Sequence, residues 1–171
     1  TDSHPFSTEN PYTNWELSAD RANAARRTLI EGGLAAGQID QVRAFADRAL
    51  GLETEWIDMP PEMNRAGHLF GRKDGDGKRI LLIGHLDTVF ELEDGIKPFA
   101  RDGDIARGHG VADMKSGNTI IVFALKALQE IGALDDIPVV VAFMGDEEKY
   151  GRPLDVARKH LVEAGKWADI A

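Results

Sequence analysis

An α/β fold, a mixed β-sheet with flanking helices, is what this sequence predicts, and three observations predict it. Two continuous apolar runs, Ile80-Leu81-Leu82-Ile83 and Val139-Val140-Val141-Ala142-Phe143, read as strands covered on both faces. A helical pattern from about Lys115 to Ile131 lies between them, which makes a strand, helix, strand unit. Short extended segments separated by Gly- and Asp-rich turns precede that unit and supply further strands.

In chain order, the first element is a helix from about Asn14 to Glu31. Thr13 and Glu16 have capping-box spacing, Leu17, Ala22, Ala25 and Leu29 approximate one apolar stripe, and Gly32-Gly33 ends it. A second helix, Ile39 to Leu50, carries Val42, Phe45, Ala46, Ala49 and Leu50 at helical spacing and stops at Gly51. Extended segments follow at Leu52 to Asp58, Gly67 to Arg72 and Arg79 to Gly84, the last two reading as a hairpin across the turn-rich Lys73 to Lys78. The two apolar runs are expected at the centre of the sheet. The helix between them places Ile120, Ala124, Leu128 and Ile131 on one face. A further helix spans Leu154 to Ala164, and Trp167 to Ala171 reads like the first residues of another strand.

A chain of 171 residues can hold one domain with a real core, since such a domain buries roughly 70 % of its unfolded surface. Hydrophobic residues at 43 % and charged residues at 29 % suit a soluble globular protein. A net charge of -9 argues against a nucleic-acid partner, whose affinity comes from Lys and Arg neutralising phosphates. With no cysteine, any metal must sit on His and carboxylates. The apolar run Pro138 to Met144 falls far short of the ~20 residues of a membrane span, and Thr1 to Phe6 lacks the basic start and apolar middle of a signal peptide.

Three clusters of chemistry-bearing residues stand at the carboxyl ends of these elements, where open α/β sheets place ligands. In Gly84-His85-Leu86-Asp87-Thr88-Val89, His85 and Asp87 point the same way from an extended chain, so the carboxylate can fix the imidazole tautomer; a solvated turn has the same composition. In Gly108-His109-Gly110-Val111-Ala112-Asp113-Met114-Lys115-Ser116-Gly117, Asp113 stands at a helix entrance, where an N-cap is the structural alternative. Gly145-Asp146-Glu147-Glu148-Lys149-Tyr150-Gly151 sets three adjacent carboxylates after a buried strand, and a bound dication would relieve their repulsion; a bare acidic turn is the alternative.

Taken together, these clusters resemble the two-zinc exopeptidases and deacylases that include glutamate carboxypeptidase, acetylornithine deacetylase and succinyl-diaminopimelate desuccinylase. Gly-His-x-Asp-x-Val, Gly-x-Gly-x-x-Asp-x-Lys-x-Gly and Asp-Glu-Glu occur here in the family's order, and the resemblance covers roughly Leu52 to Ala171. It implies part of an α/β/α sandwich in which His85 binds one zinc, Asp113 bridges both and Glu148 binds the other. It further implies that Asp87 orients His85 and that Glu147 is the general base in hydrolysis of an amide or ester, with zinc, manganese or cobalt as cofactor. The implied substrate is a small acylated amino acid or peptide-like molecule, and the implied setting of the hydrolase part is cytoplasmic rather than secreted. The family's remaining ligands, a carboxylate on a strand beginning about where this chain ends and a late His, lie outside it, so the two-zinc site is expected to be incomplete. His109 is the nearest substitute ligand, with His68, His4, His160 or a carboxylate of a second copy as others.

The front of the chain resembles something else. Thr1-Asp2 and Asn14-Trp15-Glu16-Leu17-Ser18-Ala19-Asp20-Arg21-Ala22 are similar to the peptidoglycan-binding domain shared by outer-membrane protein A and the stator protein MotB. That resemblance implies that Asp2 and Arg21 hold the charged ends of a peptidoglycan stem peptide. Residues 1–40 then form a helical segment packed on the core of a truncated hydrolase domain at 41–171, a chimera joined between Leu34 and Leu52. Exposed sheet edges favour a homodimer. Three functions follow: a metal-dependent hydrolase, a peptidoglycan-binding module, or a folded chimera without selected activity.

Overall fold

The computed structural model describes residues 50–90, 95, 97 and 99–171. The helix expected at 14–31, nearly all of that at 39–50, most of the junction, and Asp2, His4 and Arg21 lie outside the described residues. The strands are β1 (Glu53–Ile57), β2 (His68–Lys73), β3 (Ile80–His85), β4 (Ala100–Asp102), β5 (Ile105–Arg107) and β6 (Val139–Met144), and the helices α1 (Ser116–Glu130), α2 (Leu154–Ala157) and α3 (Lys159–Trp167).

Four strands make one mixed sheet in the order β1-β2-β6-β3, while β4 and β5 pair separately. β3 and β6 run parallel, from Ile80 opposite Val139 to His85 opposite Met144. Parallel neighbours need a crossover, and α1 supplies it. β2 lies antiparallel to both β1 and β6. The α/β fold with a mixed sheet and flanking helices is thus the one the sequence predicts.

Alternation along the strands divides the core in two. Leu69, Val139, Val141 and Phe143 face one side with Leu125 of α1, and Phe70, Leu81, Val140, Ala142 and Met144 face the other with Ala164 of α3. Every residue of β6 is therefore buried, which is why its sequence is an unbroken apolar run.

Four expectations need correction. β2 and β3 do not form a hairpin, because β6 lies between them and takes a strand on each side. β3 is not central either: it stands last in the described order, with only the bridge to Ile170 beyond it, and Ile83 is 46 % exposed. On α1, the side turned to the sheet is Ile121, Val122, Leu125 and Leu128, whereas Ile120 and Ile131 are 70 % and 77 % exposed. Helical spacing fits both stripes, and only the docking angle on the sheet chooses between them. The predicted helix at 154–164 is broken at Arg158, whose φ of -104° and ψ of 3° leave the helical region.

The expected further strand at the chain's end does begin. Ile170 forms a parallel bridge to Ile80, and Leu81 N–H donates to Ile170 O at 2.9 Å. Arg79 and Asp169 pin this contact with a forked ion pair, at 3.1 Å from Nε to Oδ2 and 2.7 Å from Nη2 to Oδ1. The hydrogen bonds from Arg79 lower the Asp169 pKa to about 2. A carboxylate depressed in the folded state adds stability above its unfolded pKa of ~3.9 and loses it as pH falls through the folded value. The melting-temperature difference between the parent chain and Asp169→Asn is accordingly expected to be constant above pH ~4 and to close as pH falls towards about 2.

Candidate metal centre

The parallel register places the end of β3 beside the end of β6, so His85 and the turn Gly145–Gly151 emerge side by side. Leu86 N–H donates to Met144 O at 2.7 Å and extends the pairing one step past the strands. The segment Val111–Lys115 leads into α1 and brings Asp113 to the same place, with φ of -121° and ψ of 101° at Asp113 itself. The peptide bond from Asp113 to Met114 is cis.

Asp113 is not an N-cap. Lys115 occupies that position on α1 without a side-chain cap, and Asp113 Oδ1 instead lies 2.9 Å from His85 Nε2. His85, Asp113 and Glu148 each present a ligand atom, all within 4.8 Å of one another; among the described residues they are the one group of three or more His, Asp or Glu side chains that converge in this way. Glu147 stands beside them, its Oε2 at 3.9 Å from His85 Nε2 and its side chain half-exposed.

Asp87 links the two loops. Its carboxylate accepts the backbone N–H groups of Glu147 and Glu148 at 3.1 and 3.0 Å. Its carbonyl oxygen lies 3.1 Å from His85 Nδ1 and its carboxylate 3.4 Å. An imidazole whose Nδ1–H donates there directs the Nε2 lone pair at the space between the carboxylates. On the other side, Asn118 of α1 donates from Nδ2 to His85 O at 2.6 Å. Sequence reasoning missed Asn118, since an Asn in a helix's first turn reads as local polarity.

The three-carboxylate reading of the acidic turn needs revision. Asp146 is completely buried and turns inward to Arg158, so Glu147 and Glu148 alone face the centre. The other described candidate histidines are not part of that group. His109 stacks on Phe90 with ring centroids 3.8 Å apart, and its carbonyl accepts Lys115 Nζ at 2.6 Å. His68 is buried against Ala157 and Gly145, and His160 lies 3.6 Å from Glu163 on α3.

The charges match the geometry. Burial raises the Glu148 pKa, and the charge of Asp113 raises it further against the opposing pull of His85. Burial alone would lower the His85 pKa, but its bonds to Asp113 and to the Asp87 backbone and the charges of Asp87 and Glu147 outweigh it, so the net shift is upward. Carboxylates crowded round one imidazole carry an excess of negative charge, and one nitrogen with two oxygens is a donor set that suits a divalent cation.

Comparison with known proteins gives the family. The pattern of Peptidase family M20/M25/M40 matches residues 81–169. The chain is 44 % identical over 87 residues to carboxypeptidase G2 of a Pseudomonas species, covering 50 % of this chain and 20 % of that protein. It is 35 % identical over 154 residues to a LysW-lysine/LysW-ornithine hydrolase of Pyrococcus abyssi, covering 88 % and 41 %. Less than half the length of either relative is therefore represented. Motility protein B of Escherichia coli is 53 % identical over 47 residues, 27 % of this chain and 15 % of that one, so the chain joins stretches similar to two kinds of protein. Among solved structures, human carnosine dipeptidase 1 has the same fold at a TM-score of 0.56 and 18 % identity, covering 91 % of this chain and 38 % of the other. The di-peptidase Dug1p of Saccharomyces cerevisiae does so at 0.58 and 20 %, covering 92 % and 39 %.

A ligand imidazole must be deprotonated, so protons and a cation compete for His85 Nε2. Because the His85 pKa is raised, divalent-cation affinity measured by competition titration is expected to begin weakening above pH ~6.5 and to keep falling on acidification. Equal affinity from pH ~8 to ~5 would remove His85 from the ligand set.

Proposed function

The chain belongs to peptidase family M20/M25/M40, and from that premise we propose that it is a metal-dependent hydrolase of amide or ester bonds in small acylated amino acids or peptide-like molecules. The observation that carries this reading is the convergence of His85, Asp113 and Glu148 with Glu147 beside them. His85 offers Nε2, and Asp113 and Glu148 each offer a carboxylate oxygen; zinc is the cation this set suits best, with manganese or cobalt as substitutes. Three protein donors and an open position are the ordinary equipment of a catalytic zinc, so the described residues can hold one cation unaided. A second would need donors beyond them. A dication bound here supplies Lewis acidity, which acidifies water and polarises a scissile carbonyl.

The chain's own residues do the rest. Glu147 takes the proton of the attacking water on its carboxylate and returns it to the leaving nitrogen or oxygen. Asp87 keeps Glu147 and Glu148 in place through their backbone N–H groups, and with its carbonyl oxygen it holds the Nδ1 side of His85. Glu147 is half-exposed, so it is open to substrate and solvent from the same side.

With Glu147→Gln, turnover of an acylated amino acid is expected to fall by ~10²–10⁴ while zinc stays bound, because the amide keeps the shape and loses the base. Unchanged turnover would remove Glu147 from the mechanism.

The match to motility protein B favours a second reading, in which the front of the chain binds peptidoglycan through Asp2 and Arg21. Arg21→Ala is then expected to abolish co-sedimentation with purified cell-wall sacculi, since the forked guanidinium that grips a carboxylate is gone. Retention equal to the parent's would dismiss this reading.

A further inference from the structure

Behind the metal centre lies a second polar group that the proposed chemistry does not use. His68 and Asp146 are both 0 % exposed. A buried polar side chain is costly unless every bond is made, and here they are made. His68 Nδ1 accepts Gly145 N–H at 3.0 Å, which leaves Nε2–H to donate to Ala157 O at 3.1 Å. Asp146 Oδ2 accepts Gly151 N–H at 2.8 Å, and its Oδ1 takes Nη1 of Arg158, while Arg158 Nη2 donates to Asp146 O at 3.0 Å. Arg158 reaches in from the break between α2 and α3.

Apart from the bond to Ala157 O, these bonds all fall on one stretch of chain. Gly145, Asp146 and Gly151 are the two ends of the acidic turn, and Glu147 to Tyr150 are what lies between. The ends are also sterically fixed: a Cβ at Gly145 would collide with Gly67 O, and one at Gly151 would meet Met63 Sδ at 2.9 Å. From the opposite side Asp87 holds Glu147 N–H and Glu148 N–H. The turn is thus gripped from the interior and from the site, with both carboxylate-bearing residues in between. Replacing a buried ion pair by well-packed apolar residues is often neutral or stabilising, so stability alone does not account for burying Asp146 with Arg158.

We propose that His68, Asp146 and Arg158 form a buried clamp that positions the acidic turn so that Glu148 meets His85 and Asp113 and Glu147 stands beside them. They are positioning residues for the hydrolase reading above, on which this inference rests. None of them touches the cation or the substrate; each acts through the backbone of 145–151.

The test uses the full chain with zinc and cobalt. Asp146→Asn and His68→Leu are expected to weaken zinc affinity about 10- to 100-fold, the range seen when partners behind a ligand are removed, and to alter the visible spectrum of bound cobalt. His68→Asn keeps an acceptor where Nδ1 stands and is expected to recover most of the affinity. Asp155→Asn, exposed on α2, is expected to match the parent. The amide protons of Glu147 and Glu148 are expected to exchange faster in Asp146→Asn than in the parent. Folded Asp146→Asn and His68→Leu chains with the parent's zinc affinity and cobalt spectrum would overturn the clamp. If the parent itself binds neither metal, the hydrolase reading fails, and the exchange rates alone decide the positioning claim: unchanged protection at Glu147 and Glu148 overturns it.

Discussion

The parallel pairing of β3 with β6 is the constraint on which the rest of this structure depends. It runs from Ile80 opposite Val139 to His85 opposite Met144, so the imidazole and the start of the acidic turn leave the sheet at the same level. Shifting β3 by one residue against β6 would turn His85 to the opposite face and exchange the β3 side chains between the two cores. The two cores oppose that shift, because Ile80 and Leu82 pack with Val139, Val141 and Phe143 on the α1 side while Leu81 packs with Val140, Ala142 and Met144 on the α3 side. Core packing and site geometry are in this sense one requirement. Hydrophobic burial holds the register, and the register sets the position of the polar chemistry.

On that scaffold the site is assembled from three loops that would otherwise repel. Asp113, Glu147 and Glu148 gather round His85; burial first and the charge of Asp113 second raise the Glu148 pKa, while the carboxylates favour the charged form of His85 against its burial. The structure offsets part of this crowding with backbone dipoles. Asp87 receives two N–H groups, and Asn118 steadies the His85 carbonyl. What remains is a concentration of negative charge whose natural complement is a dication. Asp146 shows the alternative fate of a carboxylate in the same turn: it is buried with Arg158 and contributes structure in place of charge.

The amino-acid sequence by itself determined the fold class, the places of β1, β2, β3, α1 and β6, and the three clusters that supply His85, Asp113 and Glu148, while the β4–β5 pair went unread. These features are legible because they are local: apolar runs, helical spacing, glycine stops and motif spacing each involve neighbours along the chain. Strand partners were not legible, and the hairpin expected between β2 and β3 gave way to β6 because pairing is decided by which strands bury the most surface together. The buried stripe of α1 was misread for the same reason, two apolar faces being available and the sheet selecting one. Asp113 read equally as an N-cap, and only the fold takes it from the cap position to 2.9 Å from His85. Asp146, His68 and Arg158 are far apart in the sequence or hidden among like residues, and only the tertiary structure joins them, since a buried hydrogen-bond network has no periodicity for a sequence to display.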